Sequence, residues 1–289
     1  MQEMNERKPA VAGQFYAYSA SDLKKQIEDC FLKKYFGPEK LPTVNEKEKG
    51  ERKIIGLIVP HAGYIYSGAI AANSYFHLAT DGKPETFIIV GPNHTGFGSS
   101  VSIMSEGVWK TPFGKVSIDG EVAKKIIESS ESEVVKEDVN AHAYEHSIEV
   151  QLPFLQYVYK KIQFVPICML DQSYEACKYL GNSIAKSVES KNAVIIASSD
   201  FTHFERNEVA HMQDKKALDT IKKLDAEKFL DIINRKNMSV CGYGPIASML
   251  IAAKKLGASS CEVIKYATSG DVAGNEASVV GYAAAKVTR

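Results

Sequence analysis

The chain has no net charge: 35 Lys and Arg balance 35 Asp and Glu over 289 residues. That excludes binding to nucleic acid or an acidic membrane surface driven by a global basic field. No apolar run reaches the roughly eighteen residues of a membrane span. The opening stretch, residues 1–13, has no apolar core of the kind a secretory signal needs, so cytoplasm is the expected compartment. Cysteines number only five, and no C-x-x-C spacing occurs, so neither a zinc ribbon nor a disulfide scaffold is signalled. There is no G-x-S-x-G elbow, which disfavours an α/β-hydrolase. There is no G-x-x-x-x-G-K-[ST] or G-x-G-x-x-G loop either, so nucleotide phosphates have no recognisable cradle. What is present is ordinary for a globular protein: 45% hydrophobic and 24% charged residues. A chain of this length buries about three quarters of the surface its unfolded state exposes, so a sizeable core is available.

Four short, β-branched apolar runs, 54–59, 86–90, 163–168 and 193–197, have the continuous apolar character of strands covered on both faces. Helical patterns cover 67–79, 173–189, 207–224 and 245–256. The last has Pro245 at a plausible first position and Gly257 at a plausible C-terminal cap. Strands alternating with helices predict βαβ units, hence an α/β fold: a single domain, 1–289, around a mainly parallel sheet flanked by helices. Two segments interrupt the alternation. Residues 101–118 suggest a hairpin beside the sheet, and 261–267 with 278–285 suggest a final strand pair. The polar stretch 41–52 predicts a charged surface loop.

Polar residues gather just after the apolar runs. The first run leads into Pro60-His61-Ala62-Gly63-Tyr64, the second into Gly91-Pro92-Asn93-His94. The run at 193–197 leads into Ser198-Ser199-Asp200-Phe201-Thr202-His203. In open α/β sheets ligands bind outside the carboxyl ends of the strands. Parallel neighbours would therefore bring His61, His94, Asp200 and His203 to one crevice. Glu145 and His146 precede a helical pattern at 148–159 for which Ser147 is a candidate cap. Cys241, followed by Gly242 and Gly244 on either side of Tyr243, lies just ahead of the helix at 245–256, where a thiolate is favoured. His77 and His211 fall on helical patterns with no such placement. The set fits two chemistries. Neutral histidines with one anionic ligand suit Fe(II), Cu or Zn better than Mg or Ca. Alternatively, Cys241 is a nucleophile with His203 or His146 as its base.

Six blocks, in order, carry a family resemblance: 7–16 (RKPAVAGQFY), 60–64 (PHAGY), 91–94 (GPNH), 145–149 (EHSIE), 198–203 (SSDFTH) and 241–246 (CGYGPI). They resemble the signature blocks of the MEMO family over nearly the whole chain. The resemblance implies the fold of class III extradiol dioxygenases. It implies metal ligands at His61, His94 and Cys241, with Fe(II) or Cu, or else Zn. Asp200 and His203 would line the pocket, His203 in place of the dioxygenases' acid/base histidine, and His146 would be a further catalytic group. The dioxygenases have a carboxylate where Cys241 stands, and that departure counts against ring-cleaving dioxygenation. The resemblance also implies a pocket for a peptide or small-molecule substrate formed by Phe15, Tyr66 and Glu145. Phe15 occupies the place of a Trp in the eukaryotic member, which changes that aromatic platform. Radical-SAM and AMMECR-type proteins are the implied functional associates. The two functions that follow are a metal-dependent redox enzyme and a non-catalytic peptide- or protein-binding module using the same pocket.

Overall fold

The computed structural model describes residues 6–45, 52–130 and 132–289. The chain runs β1 (Glu6–Arg7), α1 (Ala20–Leu32), β2 (Ile54–Val59), α2 (Ala69–Asp81), β3 (Thr86–Pro92), β4 (Val101–Ile103), β5 (Val108–Thr111), β6 (Gly114–Ile118), α3 (Gly120–Glu128) and β7 (Val135–Glu137). It continues α4 (Leu152–Tyr159), β8 (Gln163–Met169), α5 (Tyr174–Val188), β9 (Ala193–Ser198), β10 (His203–Glu205), α6 (Asn207–Ile221) and α7 (Ala226–Lys236). It ends α8 (Tyr243–Lys255), β11 (Ser260–Thr268), α9 (Ser269–Ala273) and β12 (Val279–Thr288). No helix among the described residues is long and apolar enough to cross a membrane.

One mixed sheet ties the chain together from Glu6 to Thr288, and its centre is the parallel order β8-β3-β9-β2. The apolar runs are continuous because both faces of these strands are covered. Along β3, Ile88 and Val90 join one core with residues of α3, α5, α7 and α8, while Phe87 and Ile89 join the other with residues of α1, α2 and α4. The antiparallel additions sit at the margins: β12 beside β2, β11 and β10 beside β12, and the β5–β6 hairpin beyond β8.

Several expected boundaries shift, each for a local reason. The expected hairpin at 101–118 is only its second half. Val101–Ile103 instead pairs with β7 and β8, and the hairpin proper is β5–β6. The helix expected from 67 begins as a π turn at Tyr64–Gly68 before α2. Pro245 occupies the third position of α8 rather than the first, still within the turn whose N–H groups need no helical partner. Ser173 caps α5, its hydroxyl accepting from Ala176 N. Ser147 caps nothing: its hydroxyl donates to the Pro92 carbonyl, and the chain passes through a 3₁₀ turn, Glu149–Gln151, before α4 starts. The final strand pair holds, with α9 in its connection. Residues 46–51 of the expected charged loop lie outside the described residues.

Candidate metal centre

The parallel register sets the site. Val59 of β2 lies beside Ser198 of β9, and Val90 of β3 beside Ala197. The three strands therefore end at one level, and the loops after them deliver His61, His94 and Asp200 to one crevice. The backbone N–H of His61 donates to Asp200 Oδ1 at 2.8 Å, which ties the first loop to the third. Cys241 enters from the segment ahead of α8. Its Sγ lies 3.2 Å from His61 Nε2 and accepts from Asp200 N at 3.2 Å. Gln172 holds that segment in place: its Nε2 donates to the Cys241 carbonyl and its Oε1 accepts from Gly244 N.

His61, His94 and Cys241 each offer a donor atom, and the three lie within 4.8 Å of one another. Metal–nitrogen bonds are about 2.0–2.1 Å and metal–sulfur bonds about 2.3 Å, so two such donors on one ion sit roughly 3–3.6 Å apart. The His61–Cys241 separation falls in that range. A second group, His94, Glu145 and His146, also lies within 4.8 Å. Hydrogen bonding decides between the two. The Glu145 carboxylate accepts from His94 N (2.6 Å), His94 Nδ1 (2.9 Å), His146 N (2.9 Å) and Ser147 N (2.8 Å). Oε1 takes three of these N–H groups and Oε2 the fourth, so the carboxylate is chiefly engaged in holding its own loop and the His94 loop. Glu145 thus serves to aim His94, whose Nε2 remains for the crevice.

Electrostatics agree with that assignment. Burial alone would raise the Glu145 carboxyl, but the His94 hydrogen bond and the neighbouring charges bring it down to about 2, so it is an anion that can only accept. Burial, then the charges of His146, His94 and His203, hold His61 well below the usual imidazole range, so its ring is neutral, as a ligand must be. Burial lowers His146 to about 4, with the Glu145 carboxylate working against it. Burial pushes the Asp200 carboxyl up to about 6, the His61 N–H bond opposing. Burial and the Asp200 carboxylate push the Cys241 thiol up. A bare thiol here is therefore protonated, which argues against the metal-free nucleophile.

The remaining expected residues are placed as follows. His146 stacks on His94 with ring centroids 4.6 Å apart, and the tilted ring of Phe15 packs against it at 4.7 Å. His203 hangs on the edge of this group. Its Nδ1 is 2.8 Å from the Ser239 carbonyl, which makes Nδ1 a donor and leaves Nε2 outside this bond. Tyr66 is on the turn after His61 and stays 41% exposed. His77 and His211 sit on α2 and α6, away from the crevice. Sequence reasoning missed Gln151, Tyr75, Gln172 and Ser239, and it placed Ser198 in the crevice loop without a role; all five hold the named residues by hydrogen bonds. A polar residue inside an apolar run, such as Gln151 in IEVQLPFL, is the one signal that could have marked any of them.

The family model described as Memo-like protein matches residues 7–286. The chain belongs to this family. A MEMO1 family protein of Methanopyrus kandleri is 48% identical over 282 residues, covering 96% of this chain and 98% of that protein. A MEMO1 family protein of Methanothermobacter thermautotrophicus is 44% identical over 279 residues, covering 96% and 98%. Among solved structures, an uncharacterized protein from Escherichia coli K12 superposes with a TM-score of 0.57 at 13% identity, covering 81% of this chain and 99% of that one. That likeness concerns the fold, and the Memo-like chain shares its α/β architecture.

Proposed function

We propose that this Memo-like protein is a metal-dependent redox enzyme with a mononuclear centre at His61, His94 and Cys241. The observation that carries the reading is the close grouping of two imidazoles and one thiol at the carboxyl ends of parallel strands. Imidazole with thiolate suits Fe(II), Cu or Zn, and three protein ligands leave positions open for a substrate. A metal held there would supply Lewis acidity and, if redox-active, electrons. The chain's own residues supply the rest. Glu145 orients His94, and His203, its Nδ1 held by Ser239, takes or returns a proton through Nε2 at the pocket edge. Asp200 holds the His61 loop against Cys241, and Phe15 with His146 walls the crevice with flat apolar surface.

The test is metal content after purification without added metal, for the unaltered chain, His61→Ala and Cys241→Ser. Stoichiometric metal in the first and loss in both variants supports the ligand set. Negligible metal in all three rejects it. A second reading, a peptide- or protein-binding module, is favoured by the exposed rings of Tyr144 (75%) and Phe204 (77%), which neighbour Glu145 and His203 in the chain. Capture of a partner that survives substitution of both ligands and is lost with these rings would select it.

A further inference from the structure

Ser198 has three polar neighbours, and their chemistry leaves one solution for its proton. The Ser147 carbonyl is 2.6 Å from Ser198 Oγ, Gln151 Nε2 is at 2.8 Å and His61 Nδ1 at 2.9 Å. A carbonyl oxygen only accepts, so the single hydroxyl proton goes to Ser147. The Gln151 amide is equally constrained. The atom 3.1 Å from the Pro60 carbonyl must be the N–H side, which turns Oε1 toward the Tyr75 hydroxyl at 2.6 Å. Gln151 therefore donates to Ser198. Both lone pairs of Ser198 are then used as acceptors, one of them from His61. Tyr75, Ser198, Gln151 and His61 are all buried, so an unmade bond here is costly.

We infer that Ser198, locked by Ser147 and the Gln151–Tyr75 pair, is a positioning residue that fixes His61 as its Nδ1–H tautomer. In the neutral ring Nε2 then keeps its lone pair, aimed at Cys241 and the crevice. A free histidine side chain favours the opposite tautomer, so the hydrogen bonds do work the ring would not do alone. The tautomer rests on these bonds; its value to a metal rests on the metal-centre reading. The chain would pre-form the donor geometry before any ion arrives, and three buried elements, α2, β9 and the turn ahead of α4, would have to agree for it to form.

The experiment has two arms on the full chain. The first reads the ring ¹⁵N shifts of His61 at pH 8 in metal-free protein, unaltered and as Ser198→Ala. The Nδ1–H pattern in the former and a shift toward Nε2–H in the latter are expected. An Nε2–H pattern in the unaltered chain, or no change in Ser198→Ala, overturns the inference. The unaltered chain decides the point alone if the variant does not fold. The second arm titrates both proteins with zinc(II) alone. Loss of an oriented outer partner typically lowers metal affinity about 10–100-fold. Equal affinities in the two proteins overturn the positioning role. Absence of zinc binding to the unaltered chain counts against the metal centre, while the ring shifts still decide the tautomer.

Discussion

Glu145 grips His94 at two points, accepting its backbone N–H at 2.6 Å and its ring Nδ1–H at 2.9 Å. One carboxylate thereby fixes both where the residue sits and how its ring is turned. Replacing it by Gln puts an N–H₂ group into a nest of four N–H donors. Glu145→Gln is expected to destabilise the fold by about 1–3 kcal/mol, since buried donors lose their acceptor. Metal affinity should fall about 10–100-fold. Urea denaturation and a zinc titration check the two effects. Unchanged values in both would show that the carboxylate is incidental.

The N-terminal segment is held by a second buried carboxylate. Glu149 pairs with the Arg7 guanidinium and accepts from Ala10 N at 2.8 Å, Val11 N at 3.1 Å and the Tyr16 hydroxyl at 2.6 Å. Arg7 in turn donates to the carbonyls of His142 and Glu145 and covers the Trp109 ring. Breaking one side of a buried pair leaves the other charge uncompensated, at about 3–5 kcal/mol. Arg7→Ala should therefore lose about that much in denaturant unfolding. It should also raise amide exchange across residues 10–16, loosening Phe15 over His146. Exchange confined to residue 7 would refute the link to the pocket.

His142 is fully buried against Trp109, and among the described residues neither ring nitrogen has a hydrogen-bond partner of ordinary geometry. Burial first, and then the Arg7 charge, lower it from 6.5 to about 4. The unfolded chain binds a proton near pH 6.5 while the folded one resists until about 4. This group therefore withdraws stability as pH falls through that window, by about 3 kcal/mol in all. His142→Leu removes the penalty. Its stability at pH 7 should match or exceed that of the unaltered chain, and its loss between pH 6.5 and 4 should be smaller by about that amount. Parallel stability curves for the two proteins would contradict this account.

The contrast between His142 and His61 shows what sequence conveyed and what it did not. His61, His94 and Asp200 were legible because each follows an apolar run, and parallel strands bring such positions together. Cys241 was marked by its glycines and its place ahead of a helix. Ser198 stood in the loop after the run at 193–197, but nothing there marked its hydroxyl as the partner of His61. Gln151 and Tyr75 have no such placement, and only the crossing of three elements gives the three of them a role. The helices α1, α3 and α7 went unread because charged residues interleave along the sequence with the apolar stripe that each presents on one face. Ser147 misled because a serine before a helical pattern looks like a cap, whereas its hydroxyl is used by the Pro92 carbonyl across the crevice.

Gly242 sits beside Cys241 with no room for a side chain. A Cβ there would lie 2.4 Å from the Ser198 carbonyl oxygen and 2.6 Å from Ser199 Cβ. Its backbone angle is one any residue adopts, with φ −106°, so close approach rather than conformation requires glycine. The carbonyl belongs to a central strand and cannot yield, so an added methyl must displace the Cys241 segment instead. Gly242→Ala should cost about 1–3 kcal/mol, as overpacking does, and should weaken zinc binding by moving Sγ away from His61. Gly257 is the matched control. It has φ +88° and nothing within 4 Å, so Gly257→Ala should cost about 1 kcal/mol through backbone strain. Its zinc affinity should be unchanged. If both variants lose stability but only Gly242→Ala loses zinc, the close approach of the Cys241 segment to β9 is what aligns the thiol. Equal zinc affinity in both would mean that the segment reaches the crevice by another route.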